Sequence, residues 1–275
     1  MGGRIAEAGH DLVVFNRTRR RAAEVAERLG GRVAETAREA AESAEVCVVS
    51  LADDAAVTAT YLADDGLVVG VQPGAVVCDT STVAPATVRS LAPLVAQQGA
   101  TLLDTPVSGS VSTVESGTLT VMVGGDQTAL DHARLVLSAF AKSIFHLGDV
   151  GAGATMKLVV NSLLGSLNVA VSEALVLAEK AGLDREIVYD IFESGAAGAP
   201  YVKYKRTAFL QPGEIPVAFS LALVAKDQEL IHDLAQQTGT RMDQAEASRQ
   251  LVSEAIEAGL AERDISEVAS FLRHE

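Results

Sequence analysis

The sequence predicts an α/β domain built on a mostly parallel sheet, followed by an all-helical domain. Three observations predict this. Up to Gly148, short apolar runs alternate with amphipathic segments, which is the pattern of parallel strands covered by helices on both faces. After Gly148 no strand pattern returns and the helical period takes over. The turn Asp149-Val150-Gly151-Ala152-Gly153 lies between the two regimes. A boundary near residue 150 thus separates an α/β domain over residues 1–149 from a helical domain over residues 150–275.

The elements follow in order. Met1–His10 reads as a helix closed by Gly9, so the strand and glycine-rich turn that normally open such a domain lie outside this sequence. Leu12–Phe15 is a strand and Arg20–Leu29 a helix. Val46–Leu51 is a strand, with a short helix near Ala55–Tyr61. After the strand Val76–Asp79 a helix runs over Pro85–Gln98, with Thr82 as its N-cap. Thr101–Asp104 and Thr118–Val123 are strands, Leu130–Phe140 is a helix, and Ser143–Leu147 is the last strand. Thr155–Ala181 is one long helix ended by Gly182 at the position after its C-cap. Asp184–Ser194, Phe219–Gly239, Met242–Ala258 and Ser266–His274 complete the helical part.

Composition narrows the function. A chain of 275 residues suits two domains. With no Trp and only 4% aromatic residues, the core must be built from Ala, Val and Leu. A net charge of −14 argues against a nucleic-acid partner, which needs a basic surface. Cys47 and Cys78 sit in strand-like runs and read as buried free thiols. No Cys or His cluster has metal-ligand spacing. The polar N-terminus lacks a signal-peptide pattern, and the apolar stretch Leu158–Val171 is interrupted by Asn161, Ser162, Gly165, Ser166 and Asn168. It therefore reads as a buried helix rather than a membrane span, in a cytoplasmic protein.

Five segments carry candidate chemistry. Asn16-Arg17-Thr18 follows the first strand and precedes Arg19, Arg20 and Arg21. An acidic residue there suits the ribose of NAD, and a basic one suits the 2′-phosphate of NADP. A merely solvated helix start is the alternative, although basic residues are unfavourable at a helix N-terminus. Asp79–Pro85, with Thr82, lies at a strand end and serves either as a cap or as a ligand contact. Ser108-Gly109-Ser110 is either an anion-binding turn or a plain loop. Lys157 and Asn161 share one helix face after Gly151-Ala152-Gly153. Desolvation there lowers a Lys pKa and suits proton transfer, against the alternative of a snorkelling Lys. Finally, Lys226-Asp227 interrupts the apolar run from Phe219, as a site pair or an ordinary surface pair.

In order and spacing, these segments resemble the β-hydroxyacid dehydrogenases over essentially the whole chain, above all in Asp104–Ser110 with Gly117–Gly125, Gly151–Asn161 and Phe219–Asp227. The resemblance implies a Rossmann-like cofactor domain and an NADP(H)-dependent oxidoreductase, with NAD the lesser choice. The substrate would be a small carboxylate, a β-hydroxyacid or its semialdehyde. It implies Lys157 as general acid/base, with Asn161, Ser108, Gly109 and Ser110 holding the substrate. Leu51, Ala52, Thr82 and Lys226 would line the nicotinamide end of the cofactor site, and Asn16, Arg17 and Thr18 would mark the NADP-preferring branch. Ser110 stands where the family usually has a second Gly, which leaves substrate choice open. The family's first strand and Gly-x-Gly-x-x-Gly would lie upstream of residue 1, so the expectation is an N-terminally truncated chain with weak cofactor binding and poor stability. The apolar circumference of Thr155–Ala181 implies packing deep in the second domain or against another subunit, and hence the expectation of a homodimer or homotetramer. Two alternatives stand beside this reading: an imine-reductase-like NADPH oxidoreductase, and a non-catalytic dinucleotide-fold binding module.

Overall fold

A computed structural model describes residues 1–274. The chain divides into two compact units, Met1–Lys157 and Leu158–Glu275.

The first unit opens with α1 (Gly2–Glu7), β1 (Val13–Val14), α2 (Arg19–Leu29), β2 (Arg32–Val33) and α3 (Ala37–Glu42). Next come β3 (Val46–Val49), α4 (Asp54–Leu62), α5 (Leu67–Gly70), β4 (Val76–Asp79), α6 (Pro85–Gln97) and β5 (Thr101–Asp104). It closes with β6 (Val107–Ser108), α7 (Val111–Glu115), β7 (Leu119–Val123), α8 (Gln127–Ser138) and β8 (Ala141–His146). The strands form three ladders, β1-β2, β3-β4-β5 and β6-β7-β8. All pairs are parallel except β6 with β7. An isolated bridge between Asp104 and Gly124 joins the end of β5 to the residue after β7.

Every residue of β4 is buried, as expected for an apolar run between two parallel neighbours. Alternation along the strands separates two cores. Val77 and Leu102 pack with Val57, Tyr61, Leu91 and Val95. Val76, Cys78 and Leu103 pack with Leu130, Leu137 and Phe140 on the other. Cys47 joins the first core and Cys78 the second, and both are free thiols. Burial pushes the Cys47 thiol up to about 11 and raises that of Cys78 as well.

Two local readings need correction. Thr82 is not the cap of α6: Ala84 precedes it and Pro85 takes the first position, where its missing N–H costs nothing. The Ala84 N–H and the Thr87 hydroxyl donate instead to Asp54 Oδ1 at 2.9 and 2.5 Å. Residues 107–108, read as loop, form the antiparallel strand β6.

The helix α9 (Ala152–Lys180) begins in the first unit and runs on into the second. The second unit adds α10 (Arg185–Ser194), α11 (Pro200–Leu210), α12 (Leu221–Thr238), α13 (Asp243–Ala255) and α14 (Val268–His274). Gly182, at φ +86°, ends the turn after α9, with its N–H bonded to Glu179 O and that of Leu183 to Ala178 O. Among the described residues α9 is the one helix long and apolar enough to cross a membrane. Its buried Asn168 donates to Ile265 O at 3.0 Å and accepts from the Tyr201 hydroxyl at 2.6 Å. Val171 and Leu175 pack with Tyr189, Val202 and Phe209, as a core helix requires. The helix α11 carried no clear amphipathic signal in the sequence because Lys205 falls on its buried side. That ammonium is 2.6 Å from Asp264, and both residues are only 5% exposed.

Candidate active site

The ends of β3 and β4 are tied together. The Thr80 N–H and hydroxyl both donate to Val49 O, at 2.8 and 2.7 Å. The Ser81 hydroxyl accepts the Leu51 N–H at 2.9 Å. Asp79 accepts the Ser81 N–H at 2.9 Å and the Tyr61 hydroxyl at 2.8 Å. Burial raises the Asp79 carboxyl above its ordinary value, against the pull of these donors. This network fixes the segments bearing Leu51, Ala52 and Thr82 at the carboxyl ends of adjacent parallel strands, where open α/β sheets bind ligands.

Asn16, Arg17 and Thr18 lie exposed after β1. Asn16 Oδ1 accepts the Thr18 N–H at 2.8 Å and shapes the turn into α2. Arg19 pairs with Glu35, and Arg20 pairs with Glu24 at 2.8 Å. Arg17 makes no ion pair among the described residues. It is thus the unengaged guanidinium at the first strand's end.

The turn after β6 is only partly available to a ligand. Gly109 sits at φ +145°, and a Cβ there would fall 2.3 Å from Thr113 Oγ1 and 2.6 Å from Leu119 Cδ2, so no other residue fits. The Ser110 N–H donates to Thr113 Oγ1 at 2.6 Å, and the Ser110 hydroxyl bonds that of Ser112 at 2.7 Å. Ser110 therefore acts first as the cap of α7, Ser108 is half-buried, and Gly109 is the exposed residue of the motif.

Asp104 sets the start of α9. Its carboxylate accepts the Gly151 N–H and the Ala154 N–H, each at 2.7 Å, satisfying donors that a helix N-terminus leaves free. Burial raises this carboxyl while the amide donors pull it back. Gly153 is required here, because a Cβ would lie 2.4 Å from Met122 O and 2.7 Å from Asp104 O. The Gly-x-Gly of the sequence is therefore a close approach of helix to strand, and α9 starts at Ala152 rather than Thr155. Lys157 follows in its second turn, half-buried.

One turn beyond Lys157, Asn161 is buried, and its side-chain amide donates to Asp227 Oδ2 at 2.6 Å. The other oxygen of Asp227 is 2.7 Å from Lys226 Nζ. Asp227 is 3% exposed, so Lys226-Asp227 is no ordinary surface pair. Asn161 and Lys226, far apart in sequence, thus meet through one carboxylate.

Two residues are central to this arrangement: Asp227, which the sequence left open as half of a site pair or of a surface pair, and Asp104, which it did not read as a site member. The signal was present: each is an acid ending or interrupting an apolar run, opposite a segment that needed a partner. Among the described residues no cluster of His, Cys, Asp or Glu could hold a metal ion. The exposed Arg17 guanidinium at the end of β1 fits a dinucleotide phosphate.

Comparison with known proteins extends this. Residues 1–148 match the model of the NAD binding domain of 6-phosphogluconate dehydrogenase. Residues 151–272 match that of the NAD-binding domain of NADP-dependent 3-hydroxyisobutyrate dehydrogenase. The chain is 33% identical to a probable mitochondrial 3-hydroxyisobutyrate dehydrogenase of Dictyostelium discoideum, over 99% of this chain and 88% of that one. It is 32% identical to an NAD-dependent L-serine dehydrogenase of Pseudomonas aeruginosa, over 98% and 92%. A crystal structure of 3-hydroxyisobutyrate dehydrogenase from Salmonella typhimurium superposes with a TM-score of 0.90 at 25% identity, covering 98% of this chain and 94% of that one.

Proposed function

Because the chain belongs to the β-hydroxyacid dehydrogenase family of NAD(P)-dependent oxidoreductases, we propose that it interconverts a small β-hydroxyacid and its semialdehyde or keto form, with NADP as the preferred cofactor. Bound at the strand ends, NADP+ supplies the hydride acceptor for oxidation. Lys157 takes the proton of the substrate hydroxyl, and returns it to the carbonyl oxygen in the reverse direction. Asn161, oriented by Asp227, is assigned to the substrate together with Ser108, Gly109 and Ser110, the last of which also caps α7. Leu51, Ala52, Thr82 and Lys226 are the residues we assign to the nicotinamide end of the cofactor. The observation that carries this reading is the polar series on α9 and α12: Lys157 one turn before Asn161, and Asn161 bonded to the buried Asp227.

The cofactor preference rests on Asn16, Arg17 and Thr18. A guanidinium without an ion pair at the end of β1 suits the 2′-phosphate through parallel hydrogen bonds. The test is a panel of β-hydroxyacids and aldehyde acids with NADPH and NADH. We expect turnover with NADPH favoured, and Arg17→Ala to raise KM for NADPH about 10–100-fold, the worth of a hydrogen bond to a charged group, with little change for NADH. Equal use of both cofactors by the unaltered protein would remove the preference. Turnover of cyclic imines alone would favour an imine reductase, and no turnover at all a binding module.

We also propose that the protein acts in the cytoplasm as a homodimer or homotetramer. Val159, Leu163, Ala170, Ala174 and Leu177 recur along one exposed side of α9, Leu163 and Leu177 each 72% exposed. A second copy carrying the same stripe would cover it. Light scattering should give at least twice the mass of one chain, and Leu163→Glu should reduce it to that of a monomer.

A further inference from the structure

A cavity of about 300 Å³ opens in the second unit, lined by residues of α9, α12 and α13 and bounded on one side by Asn161. That volume is at the lower end for a small-molecule pocket, yet it exceeds what a three-carbon acid fills. Three features describe its chemistry.

First, Gln228 lines it. This residue is 7% exposed and directly follows Asp227, and its Oε1 has no hydrogen-bond partner. A buried amide oxygen left without a donor is uncommon and costly. Second, Gly165 faces it from the middle of α9. A Cβ there would meet only Gln228 Nε2, at 3.7 Å, which is ordinary contact. Packing thus does not require a glycine at a helical position where glycine is unfavourable, and its effect is to keep the space beside the Gln228 amide open. Third, the charges around the cavity are already paired. Arg249 is 2.7 Å from Glu246 and 2.9 Å from Glu229, Arg241 is paired with Asp243, and His232 is 3.6 Å from Glu246. Among the residues lining the cavity Arg241 and Arg249 balance Asp243 and Glu246, so it offers hydrogen bonding without net charge from these groups.

We infer that this cavity is a specificity pocket for the substrate chain beyond the reacting carbon, and that it selects a chain bearing a neutral hydroxyl, bonded by the Gln228 amide. A hydroxyl both donates and accepts, matching an amide that offers both functions. The inference rests on the proposed role of Asn161 at the substrate.

The test compares 3,5-dihydroxypentanoate with 3-hydroxyhexanoate, in which a methyl replaces the terminal hydroxyl, and uses 3-hydroxypropanoate as the short reference. In the unaltered protein kcat/KM should favour the diol over the methyl analogue by about tenfold, the effect of one neutral hydrogen bond. Gln228→Leu should bring that ratio to about one. Gly165→Leu, which fills the cavity, should lower kcat/KM for both long acids relative to the short one. No preference for the diol, or a preference that survives Gln228→Leu, overturns the inference. Calorimetric binding of the two long acids decides it independently of turnover. If no acid is turned over, the proposed reaction fails, while the ratio of Kd values in the unaltered and Gln228→Leu proteins still supports or overturns the pocket.

Discussion

Lys157→Ala lowers kcat for β-hydroxyacid oxidation by about 10²–10⁴-fold, the range supplied by a positioned proton acceptor. KM for NADP+ and the Tm change little. The reason lies in how α9 is built. Asp104 fixes the helix N-terminus through the Gly151 and Ala154 amides, and the close approach at Gly153 sets its distance from β5. Those contacts precede Lys157 and do not depend on its side chain. Leu158, the neighbouring residue, is buried and keeps the helix packed. Truncating Lys157 therefore removes the proposed proton-transfer group from a helix held by other residues, so kcat and kcat/KM should fall together. Asn161→Ala behaves differently. It frees the Asp227 carboxylate, which then has Lys226 as its remaining charged partner, so substrate KM rises and stability falls too.

Asp264→Ala costs about 3–5 kcal/mol, the usual penalty for leaving one charge of a buried pair without its partner. That corresponds to a fall of about 10 °C or more in Tm. Asp264 Oδ1 accepts the Lys205 ammonium at 2.6 Å and the Ser266 hydroxyl at 2.9 Å. Its Oδ2 accepts the Ala218 and Phe219 amides at 3.1 and 3.3 Å. The residue thus anchors α11 and the segment that leads into α12, which carries Lys226 and Asp227. Burial acts to raise the Asp264 carboxyl, but the Lys205 ammonium and the Ser266 donors hold it below its ordinary value. Its contribution to stability is therefore complete above the unfolded-state value, near 3.9, and is lost as pH falls through the depressed folded value. Thermal melts of the Asp264→Ala, Lys205→Met and double variants measure this. The double variant should be more stable than Asp264→Ala alone, because no buried charge then lacks a partner. Equal melting of Asp264→Ala and the unaltered protein would contradict the assignment.

The regular elements were legible where local pattern decides them. Val76–Asp79 and Thr101–Asp104 have the bounds read from the sequence, because the interior of a strand buried on both faces is apolar and a hydrogen-bonded acid, Asp79 or Asp104, stands at its carboxyl end. The long helix and its Gly182 terminator were equally plain. Elements that depend on distant partners were not. The strand β6 exists because β7 returns antiparallel beside it, and α11 exposes or buries its lysines according to where Asp264 lies. The site divides in the same way. Lys157 and Asn161 could be paired from helical spacing alone. Asp104 and Asp227 could not, since each works through a contact about 50 to 65 residues away in sequence.

The pH dependence of kcat/KM for β-hydroxyacid oxidation tests the central claim most directly. With Lys157 as the proton acceptor, the unaltered protein shows a rise of rate with pH that the Lys157→Ala protein lacks. The same rise in both proteins, or a flat profile in the unaltered one, would contradict it.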